Sequence, residues 1–327
     1  MKKANYKLII GSMLLATTLV GCGGGGDGGA SAPAAVTYTG KTTQAAVNKT
    51  NTVALAEGTL ISGNSGSGVG TNPLGVATSG RSRPALPGLA RTLGNVLPRI
   101  QPQNSTSSTL IGVTQSNTFP SDCGTTGSLT FTVTVSDTVP TDSSGSATFN
   151  NFDGCNGVIN GSVSFSATGG SATIVFTNLT FTDGVDTLAM GGTITTSMAT
   201  SSTGVKTASL SMDMSFVDAA IMYRIDNFRM TVTDMVTYEV INIASGRFYH
   251  SVEGYIDVTA TNISIPNGAT TPTSGELVIT GASNAGNSSN AHVIFGLTDA
   301  TIHVDADDVP GFESTATCVW GKPCTIL

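Results

Sequence analysis

From about residue 110 onward, apolar residues recur at every second position, and this spacing fixes the fold class more tightly than anything else in the chain. Leu129, Phe131, Val133 and Val135 alternate with Thr, and Val163, Phe165 and Ala167 alternate with Ser. Leu210, Met212, Met214 and Phe216 alternate with Ser211, Asp213 and Ser215. A side-chain period of two sends one face of a strand into a core and the other into water. Tight-turn dipeptides punctuate the runs: Gly169-Gly170, Asp183-Gly184, Thr203-Gly204 and Asn267-Gly268. Further strands are expected at 171–182, 187–197, 220–233, 236–244, 246–262, 275–281, 291–296, 300–305 and 312–320. The expected fold of 109–327 is an all-β antiparallel meander of about a dozen strands, either an open curved sheet or a barrel. A lipid-facing barrel alternates in the same way but needs aromatic girdles at both interfaces. One Trp, six Tyr and the ending Thr325-Ile326-Leu327 argue against it.

Two segments precede the meander. Residues 36–61 hold Tyr38-Thr39-Gly40 and the Ala-rich pieces Gln44-Ala45-Ala46-Val47 and Val53-Ala54-Leu55-Ala56-Glu57. A short strand and one or two short helices are expected there, capped by Thr42 or Asn51. Residues 62–108 are low in complexity, rich in Gly and Ser and carrying Pro73, Pro84, Pro87 and Pro98. That composition buries too little to order a chain, so a disordered linker is expected. Gly66-Ser67-Gly68-Val69-Gly70 lacks both a preceding strand and a following Lys-Ser/Thr helix, so it is not read as a phosphate loop.

The N-terminus carries an address. Lys2, Lys3 and Lys7 precede the apolar run Leu8 to Val20, and Leu19-Val20-Gly21-Cys22 follows. A basic start, a short apolar run and small residues at the cut mark a secretory signal over 1–21. The tetrapeptide Leu19-Val20-Gly21-Cys22 resembles the lipobox of bacterial lipoproteins, and the resemblance covers only this N-terminal signal. It implies that Cys22 becomes the new N-terminus and carries a thioether-linked diacylglycerol and an amide-linked acyl chain. Several acyl chains at about 0.8 kcal/mol per buried methylene give an effectively permanent membrane anchor. In that family an Asp directly after the Cys retains the protein in the inner membrane; Gly23 therefore implies an outer-membrane destination. Residues 22–35, a Gly run broken by Asp27, form a flexible tether.

Charge narrows the partners. The whole chain has 14 basic and 21 acidic side chains, net −7. Residues 111–327 alone hold five basic and 19 acidic groups. A nucleic-acid partner needs a basic face that releases phosphate counterions, so that class is excluded. Arg81, Arg83, Arg91 and Arg99 instead concentrate in the linker, where they face anionic lipid heads or the protein's own acidic domain. Of five Cys, four remain once Cys22 is acylated, and export puts them in an oxidising compartment. Cys123–Cys155 and Cys318–Cys324 are the favoured pairs; the first closes a loop worth roughly 3.5 kcal/mol by chain entropy. A metal site at these cysteines would want a CxxC and nearby His, which are missing.

The chemistry-bearing candidates are few. His303, Asp305, Asp307, Asp308 and Glu313 cluster near the C-terminus, and period two places His303, Asp305 and Asp307 on one face. Asp305, Asp307, Asp308 and Glu313 supply oxygen donors for Ca²⁺. Equally, they are a solvated turn after an edge strand, because Val309 and Pro310 stand where a calcium loop needs an acid and a turn Gly. No Gly-x-Ser-x-Gly elbow or His-Glu-x-x-His is present. His250 and Glu253 fall in one expected strand with Tyr249 on the opposite face from His250, and Asp226-Asn227 breaks the strand phase as a bulge or turn. Seven Met between Met190 and Met235 either fill the sheet core or line an adaptable binding surface. The reading that follows is a non-enzymatic, lipid-anchored envelope protein displaying an acidic β-domain for structural, adhesive or protein-interaction purposes, without a required cofactor. Its alternatives are a periplasmic carrier of an apolar ligand such as a lipid and, third, an enzyme acting on envelope polymers.

Overall fold

The computed structural model describes residues 36–53, 55–56, 59 and 114–326, the last range without 124–125, 137–141, 156, 169–170, 183–186, 219–220, 236, 267–268, 270, 285–286, 307–310 and 320–324. The expected signal, tether and linker lie outside the described residues. The alternating region forms β1 (Thr114–Pro120), β2 (Ser128–Val135), β3 (Ser143–Asp153), β4 (Val158–Thr168) and β5 (Ser171–Thr182). It continues with β6 (Thr187–Thr200), β7 (Lys206–Asp218), β8 (Ile221–Asp234), β9 (Tyr238–His250) and β10 (Gly254–Pro266). The last five are β11 (Ser274–Asn284), β12 (Asn287–Phe295), β13 (Asp299–Asp305), β14 (Ser314–Val319) and β15 (Thr325–Ile326). Each strand hydrogen-bonds to its sequence neighbours in the order β1 to β15, so the chain is an antiparallel meander in one open sheet.

The described residues bear out the expected all-β meander and form fifteen strands against about a dozen, because β1, β3 and β15 were hidden in the sequence. β1 reads TQSNTFP and is mostly exposed, so it shows no apolar alternation. β3 carries Ala147, Phe149 and Phe152 as its buried apolar residues, and their phase slips by one. A second correction concerns 236–262. The expected break at Ser245 lies inside β9, and the chain reverses at 251–253 instead. Glu253 thus sits in a turn, not in the strand of His250. Tyr249 and His250 do point to opposite faces: Tyr249 meets Tyr255, whereas His250 meets Tyr223 edge-on.

The described residues divide into two compact units. One holds 36–37, 114–197 and 214–218. Its core is built from Leu129, Phe149, Phe152, Ile159, Leu179, Phe181 and Leu188, all buried. Its water-facing side is a hydroxyl ladder, with Thr114–Thr134 at 2.8 Å, Thr118–Thr130 at 3.1 Å and Thr132–Ser116 at 3.2 Å. Cross-strand pairs of this kind stabilise a sheet by a few tenths of a kcal/mol each. The disulfide Cys123–Cys155 ties the end of β1 to the β3–β4 connection with a Cα–Cα distance of 5.0 Å. Around it, the Asp153 carbonyl accepts the Asp122 and Cys123 amides at 2.9 and 3.1 Å.

The other unit holds 38–59, 198–213 and 221–326. Phe228, Phe248, Ile256, Val258, Leu277, Ile279, Val293 and Ile302 fill its core, and the buried Met212 and Met230 belong to it. Residues 43–47 insert here as an extra extended piece. The Tyr255 amide donates to the Thr43 carbonyl at 3.0 Å, and the Ala45 amide to the Tyr255 carbonyl at 2.7 Å. On the opposite side the Ala282 amide donates to the Ala45 carbonyl at 2.6 Å. The ends of β10 and β11 are thus bridged by residues from far upstream. Ser289 closes the slot: its hydroxyl accepts the Val47 amide at 2.8 Å and donates to the Ala282 carbonyl at 2.8 Å. Gly281 permits this approach, since a Cβ there would stand 2.4 Å from the Ala45 carbonyl oxygen. Beyond Val47, Asn48 caps a short helical turn that includes 52–53, 55–56 and 59, its side chain accepting the Thr50 and Asn51 amides at 2.9 and 3.3 Å. The Asn51 side chain returns to the Asn48 amide at 3.0 Å, a reciprocal cap. Asn51, one of the two expected caps, therefore supplies the second half of the motif. Ala45, Val47, Leu55 and Ala56 are all buried.

One device recurs in both units. Asn151, Asn178, Asn227 and Asn262 adopt left-handed backbone angles, with φ between 45° and 51°. Each stands at a register shift within its strand and is followed by a buried Phe152, Leu179, Phe228 or Ile263. Asn tolerates this conformation better than other side chains. Three of the bulge amides are caught by a side chain of an adjacent strand: Asn151 by Asn160, Asn227 by Asp213 and Asn262 by Asn242, at 2.7–2.8 Å. Gly275, at φ 111°, lies across from the Asn262 bulge, where a Cβ would come within 2.4 Å of Ile263. Bulges increase local twist and re-aim side chains. The expected phase break at Asp226-Asn227 is one of this set.

Candidate interaction face

The polar face of β8–β11 departs from the hydroxyl pattern. Residues 111–327 contain only three Arg, and all three, Arg224, Arg229 and Arg247, lie on β8 and β9. Period two places Arg224 beside Asp226 on β8, Arg247 beside Tyr249 on β9 and Tyr255 beside Asp257 on β10. Strand pairing then aligns them, with Arg224 opposite Tyr249, Asp226 opposite Arg247 and Tyr249 opposite Tyr255.

The geometry is that of paired charges on aromatic rings. Arg247 holds Asp257 bidentately, Nε to Oδ1 at 2.7 Å and Nη2 to Oδ2 at 3.0 Å. Its guanidinium lies over the Tyr255 ring at 4.1 Å. The hydrogen bonds to Asp257 raise the Arg247 pKa above its ordinary value despite partial burial. Arg224 donates to Asp226 at 2.7 Å and sits over Tyr249 at 5.2 Å. Tyr38, from the inserted N-terminal run, packs on Tyr249 with ring centroids 5.5 Å apart, and its hydroxyl donates to the Lys41 carbonyl at 2.9 Å. Burial first, and the neighbouring Tyr249 second, push the Tyr38 phenol up to about 12. A fork-shaped guanidinium gains both from bidentate pairing and from stacking.

Between these pairs the two bulges open a groove of about 550 Å³. Asp226, Asn227, Ser245, Arg247, Asp257 and Thr259 are among its lining residues, with Thr280 from β11. The groove lies where β8 shifts register between Asp226 and Arg229 and β9 shifts against β10 between Ile256 and Ala260. Its backbone is fixed from behind by Asp213, which accepts the Asn227 amide, and Arg229 donates to the Asn227 side chain at 3.2 Å.

The sequence-expected site residues fall elsewhere. Cys123 and Cys155 are bonded to each other as expected. Cys318 is also disulfide-bonded; its expected partner Cys324, like Cys22, lies outside the described residues. Of the calcium candidates, Asp307 and Asp308 lie outside the described residues. Asp305 ends β13 opposite Asn290, and Glu313 accepts the Ala306 amide at 2.6 Å. Among the described residues, no group of three or more His, Cys, Asp or Glu is arranged to hold a metal ion. His303 pairs across strands with His292, stacks on Phe312 at 4.6 Å and meets the Thr315 hydroxyl at 3.2 Å. His292 meets Glu276 at 2.6 Å. His250 accepts the Val252 and Glu253 amides through Nδ1, both at 3.3 Å.

Sequence reasoning missed the Arg–Asp–Tyr face. A usable signal was there: three Arg confined to 24 consecutive residues of a domain otherwise almost free of cations. No protein-family model, curated protein or solved structure matches this chain.

Proposed function

We propose that this chain is a lipid-anchored envelope protein, held in the outer membrane by acyl chains on Cys22, that displays its acidic β-domain for interaction without catalysis. The observation that carries this reading is the run Leu19-Val20-Gly21-Cys22 behind a basic, apolar leader and ahead of a Gly-rich tether. The position of the inserted run refines it. Because 43–47 are hydrogen-bonded into the unit of β8–β15, folded structure begins within about 20 residues of Cys22 in sequence. The Arg–Asp–Tyr face of β8–β11 is the surface offered to a partner. Metabolic labelling with an alkyne palmitate tests the anchor. Label enters the wild-type protein, and Cys22→Ser abolishes labelling and moves the protein from the detergent phase to the aqueous phase. Labelling that survives Cys22→Ser, or fails in the wild type, contradicts the reading.

A further inference from the structure

We infer that the groove over β8–β11 binds an uncharged, hydroxyl-rich saccharide. The inference rests on reading this face as the binding surface, and it is independent of the lipid anchor.

The charges in the groove are already matched. Arg247 is held by Asp257, and Arg224 by Asp226. An anionic ligand would have to displace a carboxylate from its guanidinium, and a cation would have to displace a guanidinium from its carboxylate. A sugar diol needs neither exchange. One hydroxyl donates to a carboxylate oxygen, and the next accepts from a guanidinium N–H. The pairs retain the capacity for this: a guanidinium has five N–H donors and a carboxylate roughly four lone-pair sites, and the Arg247–Asp257 pair uses two of each.

Most of the remaining lining is of the same kind, and Gly246 and Val258 complete it. Asn227, Ser245, Thr259 and Thr280 contribute an amide and three hydroxyls, each both donor and acceptor. A volume near 550 Å³ lies within the range of roughly 300–1,000 Å³ usual for small-ligand sites. Rigidity completes the case: each Arg is pinned by its Asp and its Tyr, and the left-handed Asn227 is held by Asp213. Groups held in place before binding lose little entropy when a ligand arrives.

Isothermal titration of the full-length protein in a sugar-free detergent tests this, with maltohexaose, cellohexaose and chitohexaose as neutral probes. Hexagalacturonate and palmitic acid serve as the acidic and apolar comparisons. At least one neutral probe is expected to bind saturably, with affinity falling at least about ten-fold in Asp257→Asn and in Arg247→Gln. Glu276→Gln, on β11 outside the groove, leaves binding unchanged. Circular dichroism melts confirm that the variants fold. The inference fails if no neutral probe binds up to about 5 mM. It also fails if only hexagalacturonate or palmitic acid binds, or if both groove variants bind as the wild type does. Loss of binding here leaves the palmitate result standing, and loss of the label leaves this result standing.

Discussion

The two compact units are secured by different means. The unit of β1–β5 is stapled covalently, by Cys123–Cys155 across 32 residues of sequence. The unit of β8–β15 also carries a disulfide, at Cys318 on β14, but its β10–β11 seam is closed by backbone: residues 43–47 occupy a slot between β10 and β11, and the helical turn behind them buries Leu55 and Ala56. A staple acts mainly by restricting the unfolded chain, whereas an inserted strand acts only while it stays docked. The first unit should therefore tolerate local opening at its closure better than the second. The faces differ in parallel. Both units use the left-handed Asn bulge, so the bulge is scaffold; only at β8–β10 is it surrounded by Arg, Asp and Tyr.

The largest effect should come from emptying the inserted run. Leu55 is fully buried, and Leu55→Ala is expected to cost about 4 kcal/mol by transfer and cavity terms together. Urea denaturation measures it, and a loss below about 1 kcal/mol would show that the run is not part of the core. Next comes the staple. Replacing Cys123 and Cys155 by Ser should cost about 3.5 kcal/mol, and the same denaturation should register it as an easier unfolding with a steeper slope against urea, because the unlinked chain expands when unfolded. If the two losses are reversed in rank, the contrast between closures is wrong.

The bulges give a finer comparison. Asp213→Ala removes a charged acceptor from the Asn227 amide and is expected to cost about 2 kcal/mol, whereas Asn160→Ala, at the equivalent neutral acceptor of Asn151, costs about 1 kcal/mol. Equal costs would mean the charge on Asp213 contributes nothing. On the exposed face, Arg224→Gln should change stability by less than about 0.5 kcal/mol, because a half-exposed ion pair contributes little. A larger loss would make this face structural instead of a surface for partners.

A further effect appears only in alkali. Burial pushes the Tyr38 phenol up to about 12, from an ordinary value of 10.0. The unfolded chain therefore releases this proton first, so the contribution is intact below pH 10 and is lost as pH rises toward 12. Tyrosinate absorbance should show one late-titrating phenol that disappears in Tyr38→Phe, together with a shallower loss of stability above pH 10.

The fold was legible where side chains alternate and obscure where they do not. The runs around Phe131, Phe165 and Met212 announced their strands because one face is apolar and the other is Thr or Ser. β1 was silent because nearly all its side chains face water, and β3 because the Asn151 bulge shifts Phe152 out of phase with Phe149. Ser245-Gly246 imitated a turn because small residues serve bulges and turns alike. The insertion of 43–47 left no trace in its own sequence. Its partners, Tyr255, Ala282 and Ser289, lie more than 200 residues away and bond mainly to backbone, which every residue has. The groove was half legible: the Arg cluster and the i, i+2 pairings are in the sequence, but their convergence needs the register of β8, β9 and β10.

Native-state hydrogen exchange of the backbone amides of Ala45 and Tyr255 tests most directly whether the N-terminal run is an integral strand of the β8–β15 unit. Both amides are expected to be as protected as those of the central residues of β10, and to lose protection together in Leu55→Ala. Exchange of Ala45 at the rate of an unstructured peptide, with Tyr255 still protected, would contradict the account.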